Sequence, residues 1–300
     1  MTLETLTKCP VCNAGHFSAF LHVKDYTVSG NLFQIVKCDS CNFLFTNPRP
    51  PESEIGAFYD SAEYISHHDE AKDLMSRLYT AVRNFTTQQK IKLLDRLVSP
   101  KGALLDVGCG TGFFISKAME AGWHVAGTEP DTNARAQAAG RVGEGIKEGI
   151  RDSFFETKKF DVITMWHVLE HVHLLNETMK WLHDHLKENG RLIIAVPNPE
   201  SYDAQKFKDK WAAYDVPRHL YHFSKHSLEK LAQVHQFKVQ EVLPMWFDSY
   251  YVSMLSSRYK NGQTNLPESI WSGTVSNLKG RNSSQRTPNT SSLIYVLSKA

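Results

Sequence analysis

Three glycines spaced two apart, Gly108, Gly110 and Gly112, follow directly on an apolar run in LLDVGCGTGFF, residues 104–114. The apolar run reads as a buried strand ending at Val107, and a helix begins near Thr111. Bare backbone between a strand and a helix lets a ligand approach closely at the carboxyl end of the strand, where open α/β sheets bind their ligands. The pattern then repeats. Further apolar runs suited to buried parallel strands lie at 123–128, 160–165 and 191–196, with helical stretches near 112–121, 131–139 and 173–187. This alternation predicts a doubly wound α/β sheet.

The loop discriminates between ligands. A dinucleotide fingerprint needs G-x-G-x-x-G, but Phe113 stands at the third glycine position. No G-K-[ST] follows, so the loop is not a P-loop. Asp106, just before the bend, would repel a phosphate and suits an ammonium or sulfonium group. At the end of the second strand, HVAGTEPD presents Glu129, an acid able to accept both hydroxyls of a ribose. An amino group, a ribose and no phosphate describe S-adenosylmethionine.

Taken in order, LLDVGCGTGFF, VAGTEPD, FDVITMWHVLEHV and GRLIIAVPNP resemble the successive motifs of the class I S-adenosylmethionine-dependent methyltransferases over roughly residues 85–250. The flanks, with YDVPRHLYHFSKHSLEKL, resemble a small-molecule subgroup that carries an N-terminal zinc-binding module. The resemblance implies a Rossmann-like seven-stranded sheet. It also implies that Asp106, Gly108, Gly110 and Gly112 line the amino-acid end of the cofactor, with Cys109 held in the loop through its backbone. Glu129 would hold the ribose, Pro130 and Asp131 would pass beneath the adenine, and a residue near Ile150 or Arg151 would flank it. Trp166, His167 and Val168 would end the fourth strand beside the methionine portion.

Four of the five cysteines form two C-x-x-C pairs, Cys9/Cys12 and Cys38/Cys41. The N-terminus lacks a signal-peptide pattern, and no apolar run is long enough to span a membrane, so a cytoplasmic protein with reduced thiols is expected. In that setting the pairs predict a structural Zn(2+) in a small ribbon over residues 1–45, with β-rich runs around a turn at Ser29-Gly30-Asn31. Residues 46–100 read as a proline-rich linker and a helical segment from about Asp69 to Val98. Leu74, Leu78, Val82 and Phe85 recur there at helical spacing, while Arg77, Arg83, Lys90, Lys92 and Arg96 make a solvated face. The methyltransferase domain takes 101–300, interrupted by a polar insertion near 257–290 that is too long for a hairpin and suits a flap or a disordered stretch.

Methyl transfer to oxygen or carbon of a small-molecule acceptor is the leading function, and a base is needed if the acceptor must lose a proton. The candidates are His222 and His219 in YDVPRHLYHFS, and His167 in WHVLEHVH. The latter stretch resembles the E-x-x-E-H metal site of ubiquinone-type O-methyltransferases, with His167 replacing the first acid; His167, Glu170 and His171 could still hold a divalent ion. RNA methylation is the first alternative. It is opposed by a net charge of only +2, from 34 basic and 32 acidic residues, and by the absence of an N/D-P-P-[YFW] motif. A non-catalytic binding module is the second, opposed by the intact glycine loop and its two acids. Neither a nucleic-acid nor a membrane partner is expected, and the sequence leaves the oligomeric state open.

Overall fold

The computed structural model describes residues 2–59, 74–281 and 288–300. The start of the expected helix at Asp69 and the side chains of Leu74, Arg77 and Leu78 lie outside the described residues. Three short strands come first: β1 (Phe17–Lys24), β2 (Leu32–Cys38) and β3 (Leu44–Thr46). Helix α1 (Leu74–Leu97) leads into β4 (Ala103–Val107), α2 (Phe113–Glu120), β5 (His124–Thr128), α3 (Thr132–Val142) and β6 (Ile146–Lys147). Then come β7 (Phe160–Trp166), α4 (Leu175–His185), β8 (Leu186–Pro197) and α5 (Tyr202–Phe207). The chain closes with β9 (Tyr221–His222), α6 (Lys225–Val234), β10 (Phe237–Pro244), α7 (Asp248–Asn261), α8 (Leu266–Arg281) and β11 (Ser292–Lys299).

The main sheet has seven strands in the order β10-β11-β8-β7-β4-β5-β6, with β11 antiparallel to both neighbours, so the fold is the expected Rossmann-like α/β sheet. Its central strands read as continuous apolar runs because helices cover both faces. Leu104, Leu105, Val162, Ile163 and Ile193 are fully buried. From β4 the chain runs outward through β5 and β6, then crosses back to lay β7 on the other side of β4. That reversal opens a crevice at the carboxyl ends of β4 and β7, between the glycine loop and the turn at Leu169–His171.

The second sheet, β1-β2-β3-β9, is shared. Its last strand comes from the far end of the chain, where Leu44 pairs with His222 and Phe45 with Tyr221. Arg49 adds a hydrogen bond to the Tyr221 hydroxyl at 2.9 Å, and Asn47 clasps Leu6 through both its amide N–H and its carbonyl oxygen. The N-terminal residues therefore fold onto the segment 215–223 and not as a ribbon that stands apart.

The stretch expected as an insertion near 257–290 is mainly helical where it is described. The stretch is the antiparallel helical pair α7/α8, which starts at Asp248, and only part of the predicted span, residues 282–287, lies outside the described residues. Polarity misled here because serine is small: Ser249, Ser253, Ser256, Ser257, Ser269, Ser272 and Ser276 are buried between the helices and their neighbours. Gly273 lies so close to Tyr250 that an added Cβ would sit 2.7 Å from its ring. Among the described residues no helix is long and apolar enough to cross a membrane.

Candidate active site

All three loop glycines take left-handed backbone angles, with φ of 70° at Gly108, 54° at Gly110 and 80° at Gly112. Two of them are also forced by crowding. A Cβ on Gly108 would stand 2.5 Å from Val168 Cγ2, and one on Gly112 would meet Ala138 Cα at 2.8 Å. Gly110 differs: a Cβ there meets nothing within 4 Å, so its bare side faces open space. Glu129, at the end of β5, turns toward that loop and accepts a 2.8 Å hydrogen bond from Gly110 N–H. Its second oxygen accepts from Asp131 N–H at 3.0 Å, while Asp131 itself caps α3 through Ala134 N–H. Pro130 follows directly, its carbonyl taking a hydrogen bond from Arg135. Cys109 packs with Ile115, Ala138 and Ile146 beneath the loop; burial and the charges of Asp106 and Glu129 push its thiol up, so it stays neutral.

Asp106 is buried and accepts a 2.6 Å hydrogen bond from Thr164, its partner across the β4–β7 pair. Burial raises its carboxyl to about 7, against the lowering effects of Thr164 and the Lys90 ammonium. Lys90 corrects the reading of a solvated face on α1. Its Nζ lies 4.1 Å from the Trp166 ring centroid and 5.6 Å from that of Phe114, and burial lowers it to about 8 while Asp106 and Asp248 oppose. Periodicity could not reveal this, because a long lysine stem crosses from the helix flank into the crevice. Phe85 is likewise not a core residue of that helix; it is half exposed and meets Phe247 edge-on at 5.6 Å.

At the end of β7, His167 adopts a left-handed φ of 57°, which is costly for a residue with a Cβ and recurs at functional sites. Its Nδ1 lies 3.2 Å from Glu170 Oε1, and its Nε2 lies 3.5 Å from Asp248 Oδ2, an ion-pair contact without hydrogen-bond geometry. Burial opposes protonation, but the Asp248 and Glu170 carboxylates outweigh it and raise the imidazole above its usual value. Glu170 is fully buried, and its Oε2 has no hydrogen-bond partner; neither has the indole N–H of Trp166.

The histidines of the second cluster separate. His219 donates Nδ1–H to Ala213 O at 2.8 Å, since a carbonyl can only accept; in the neutral ring this leaves Nε2, 3.9 Å from Asp215, as the bare nitrogen. One ligating atom each of His219, His171 and Glu170 lies within 4.8 Å of the others. His222 instead sits in β9 against Thr46 at 3.4 Å and is held neutral by burial. Of the residues expected to be able to hold a divalent ion, Glu170 and His171 come together with His219, while His167 is not part of that group. Ile150 packs against the core and Arg151 is exposed. Two surface hollows of about 580 and 400 Å³, lined by residues 261–268 and by 176–184 with 234–236, lie away from this cluster.

The cysteine pairs converge. Cys9 and Cys41 Sγ are 3.6 Å apart, Cys12 and Cys38 Sγ 3.5 Å, and all four lie within 4.8 Å of one another. Sulfurs about 2.3 Å from a tetrahedral zinc stand roughly 3.8 Å apart, so the donor set fits that ion. Both knuckles are built alike: Asn13 and Asn42 take left-handed angles and return N–H bonds of 2.9 Å to Cys9 O and Cys38 O. Burial first of all pushes the Cys41 thiol up to about 11, a penalty that a bound cation removes.

Comparison with known proteins places this geometry. The family model described as "Methyltransferase domain" matches residues 82–242, more than half of the chain, and the chain belongs to that family. Its architecture is that of the class I S-adenosylmethionine-dependent methyltransferases. The ubiquinone biosynthesis O-methyltransferase of Rickettsia canadensis (strain McKiel) is 27% identical over 129 residues, 41% of this chain and 55% of that protein. The chain thus spans about half the length of the curated relatives it matches. Two solved structures share the fold at a TM-score of 0.53. One is magnesium protoporphyrin IX methyltransferase from Synechocystis PCC 6803 with bound SAH, 13% identical, covering 83% of this chain and 100% of that one. The other is geranyl diphosphate methyltransferase in complex with SAM, 16% identical, covering 77% and 93%.

Proposed function

We propose that this chain binds S-adenosylmethionine in the crevice between β4 and β7 and transfers its methyl group to a small-molecule acceptor. The observation that carries the reading is the open, left-handed Gly110 bend set between a buried Asp106 and the Glu129 carboxylate. Asp106 suits the amino group, Glu129 the ribose hydroxyls, and Lys90 the carboxylate. The loop Gly108–Gly112 would cradle the amino-acid end, Cys109 serving through its backbone, with Pro130 under the base and Trp166 and His167 beside the methionine portion. When bound, the cofactor supplies an electrophilic methyl group; the residues supply its aim, worth about 7–11 kcal/mol of the barrier.

If the acceptor must lose a proton, His219 is the best-equipped of the three candidate bases, a role worth about 10²–10⁴-fold. The Ala213 carbonyl fixes its tautomer, and Asp215 stands close enough to steady the protonated ring. His222 is locked in a sheet, and His167 sits between two carboxylates that favour its charged form. A structural Zn(2+) on Cys9, Cys12, Cys38 and Cys41 completes the assignment. Calorimetric titration with S-adenosylhomocysteine tests the reading: one site per chain is expected, and no binding overturns it.

A further inference from the structure

Tyr59 belongs to the N-terminal part of the chain, yet its hydroxyl lies 2.9 Å from Nδ1 of His171 beside the crevice. Its placement is heavily enforced. The carbonyl of the preceding residue, Phe58, accepts a 2.8 Å bond from Arg218 Nη1, and the Phe58 ring meets Phe33 of β2 edge-on at 5.8 Å. Arg218 is itself almost fully buried, bridging Asp25 at 3.0 Å and Asp215 at 2.7 Å. A third grip comes from Thr46, whose hydroxyl donates to His219 O at 2.8 Å. Residues 25, 46 and 58 thus hold the backbone and side chains of the 215–219 segment from the N-terminal side.

The cluster beneath Tyr59 is rich in acceptors and poor in donors. His171 Nδ1 faces two oxygens, the Tyr59 hydroxyl at 2.9 Å and Arg218 O at 3.1 Å; since the carbonyl can only accept, a hydrogen on Nδ1 is shared between them and leaves Nε2 of the neutral ring bare. His219 also has a bare Nε2, and Glu170 Oε2 has no partner. A group lying against Glu170 Oε2 must bring a hydrogen of its own, because an unpaired buried acceptor is costly. Burial and the charges of Asp215, Glu170 and Glu129 keep the Tyr59 phenol protonated, which places a hydroxyl within the field of both the cofactor acid and the histidine cluster.

We propose that Tyr59 is a positioning residue of the acceptor pocket, that it forms this pocket with His171, His219 and Glu170, and that the pocket takes an acceptor hydroxyl. The proposal rests on the methyltransferase reading. In the step it serves, the hydroxyl proton passes to Nε2 of His219. The acceptor oxygen forms its bond to the methyl carbon as the carbon–sulfur bond breaks, and that electron pair leaves on sulfur. Tyr59 fixes His171, and through it the face that the hydroxyl meets.

The test uses the full-length, zinc-loaded chain with ¹⁵N-labelled histidine rings, saturated with S-adenosylhomocysteine, and phenol as the probe with anisole as its blocked counterpart. Phenol is expected to shift the His219 Nε2 resonance, and anisole to leave it in place. Tyr59→Phe should weaken the phenol response at least about fivefold, the worth of one hydrogen bond, while S-adenosylhomocysteine affinity stays within about twofold. Thr46→Val should lose the response and Thr46→Ser restore it, which a merely structural threonine would not require. An equal response to anisole, no response to phenol, or an unchanged response in Tyr59→Phe overturns the proposal. So does a magnesium or zinc ion bound at His171 and His219 in place of phenol. Failure of the wild-type chain to bind S-adenosylhomocysteine is a separate result, and it removes the methyltransferase reading itself.

Discussion

Glu129 Oε2 accepts a 2.8 Å hydrogen bond from Gly110 N–H, which ties the end of β5 to the most open point of the glycine loop. The acid is therefore oriented before any ligand arrives. Glu129→Ala should weaken S-adenosylhomocysteine binding at least about tenfold, since both the receiving carboxylate and the loop's tether are lost. Asp106→Ala should do the same from the other end. Calorimetry showing wild-type affinity in both variants would count decisively against the cofactor site.

The pH dependence of binding follows from Asp106, whose carboxyl stands at about 7 through burial. Meeting an ammonium requires the ionised form, so below that value binding must expel a proton. Affinity should thus fall as pH drops through 7, by up to about tenfold per unit. For the folded chain alone the sign is opposite. The raised value favours the protonated folded state, so this group's contribution to stability is fullest at low pH and is lost as pH rises from the unfolded value toward 7. In Asp106→Asn both slopes should flatten, measured by titration and by thermal melts between pH 5 and 8.

Lys90 separates the two ends of the cofactor. With its ammonium over Trp166 and no carboxylate in hydrogen-bonding contact among the described residues, it is suited to the amino-acid carboxylate. Lys90→Met should cost S-adenosylhomocysteine about tenfold or more in Kd. Binding of 5′-methylthioadenosine, which lacks the amino-acid end, should not change. A parallel loss for both ligands would mean that the lysine only braces the crevice.

Gly108 and Gly110 predict contrasting outcomes for the same substitution. Gly108→Ala drives a Cβ to 2.5 Å from Val168 and should destabilise the fold by about 2–4 kcal/mol, partly rescued by Val168→Ala. Gly110→Ala meets no protein atom and should cost only about 1–2 kcal/mol for its left-handed angle. Its larger effect should be on cofactor affinity, because the methyl group would fill the cradle. Chemical denaturation alongside calorimetry distinguishes the two.

The purified chain should carry one zinc equivalent by elemental analysis, lost in Cys12→Ser. Loss of the ion should lower Tm by about 6–10 °C if roughly 3 kcal/mol of stability goes with it. Full metal retention without any one of the four cysteines would place the ion elsewhere.

The four central strands β4, β5, β7 and β8, the glycine loop and the cysteine pairs were legible in the sequence because each is local. A buried parallel strand is a short apolar run, and a knuckle is two residues between two thiols. Lys90, Tyr59 and Asp248 were not, since their roles arise where α1, the segment after β3 and α7 meet the crevice from distant parts of the chain. His167 was visible as a candidate, but its left-handed angle and its contact with Asp248 were not. Arg218 reads in sequence as one more base in YDVPRHLYHFS, though it is the buried bridge between two carboxylates. Serine-rich helices escaped notice because small-residue packing has no hydrophobic period to follow.

The pairing of Phe45 with Tyr221 sets an order of events during synthesis. All four thiols have been added by residue 41 and emerge well ahead of residue 222, so the metal knot can be tied early. The sheet beside it has no final strand until residue 222 emerges, long after the glycine loop. A nascent chain stalled between these points carries a finished knot and an open edge, and would need shielding from its neighbours until the last strand arrives.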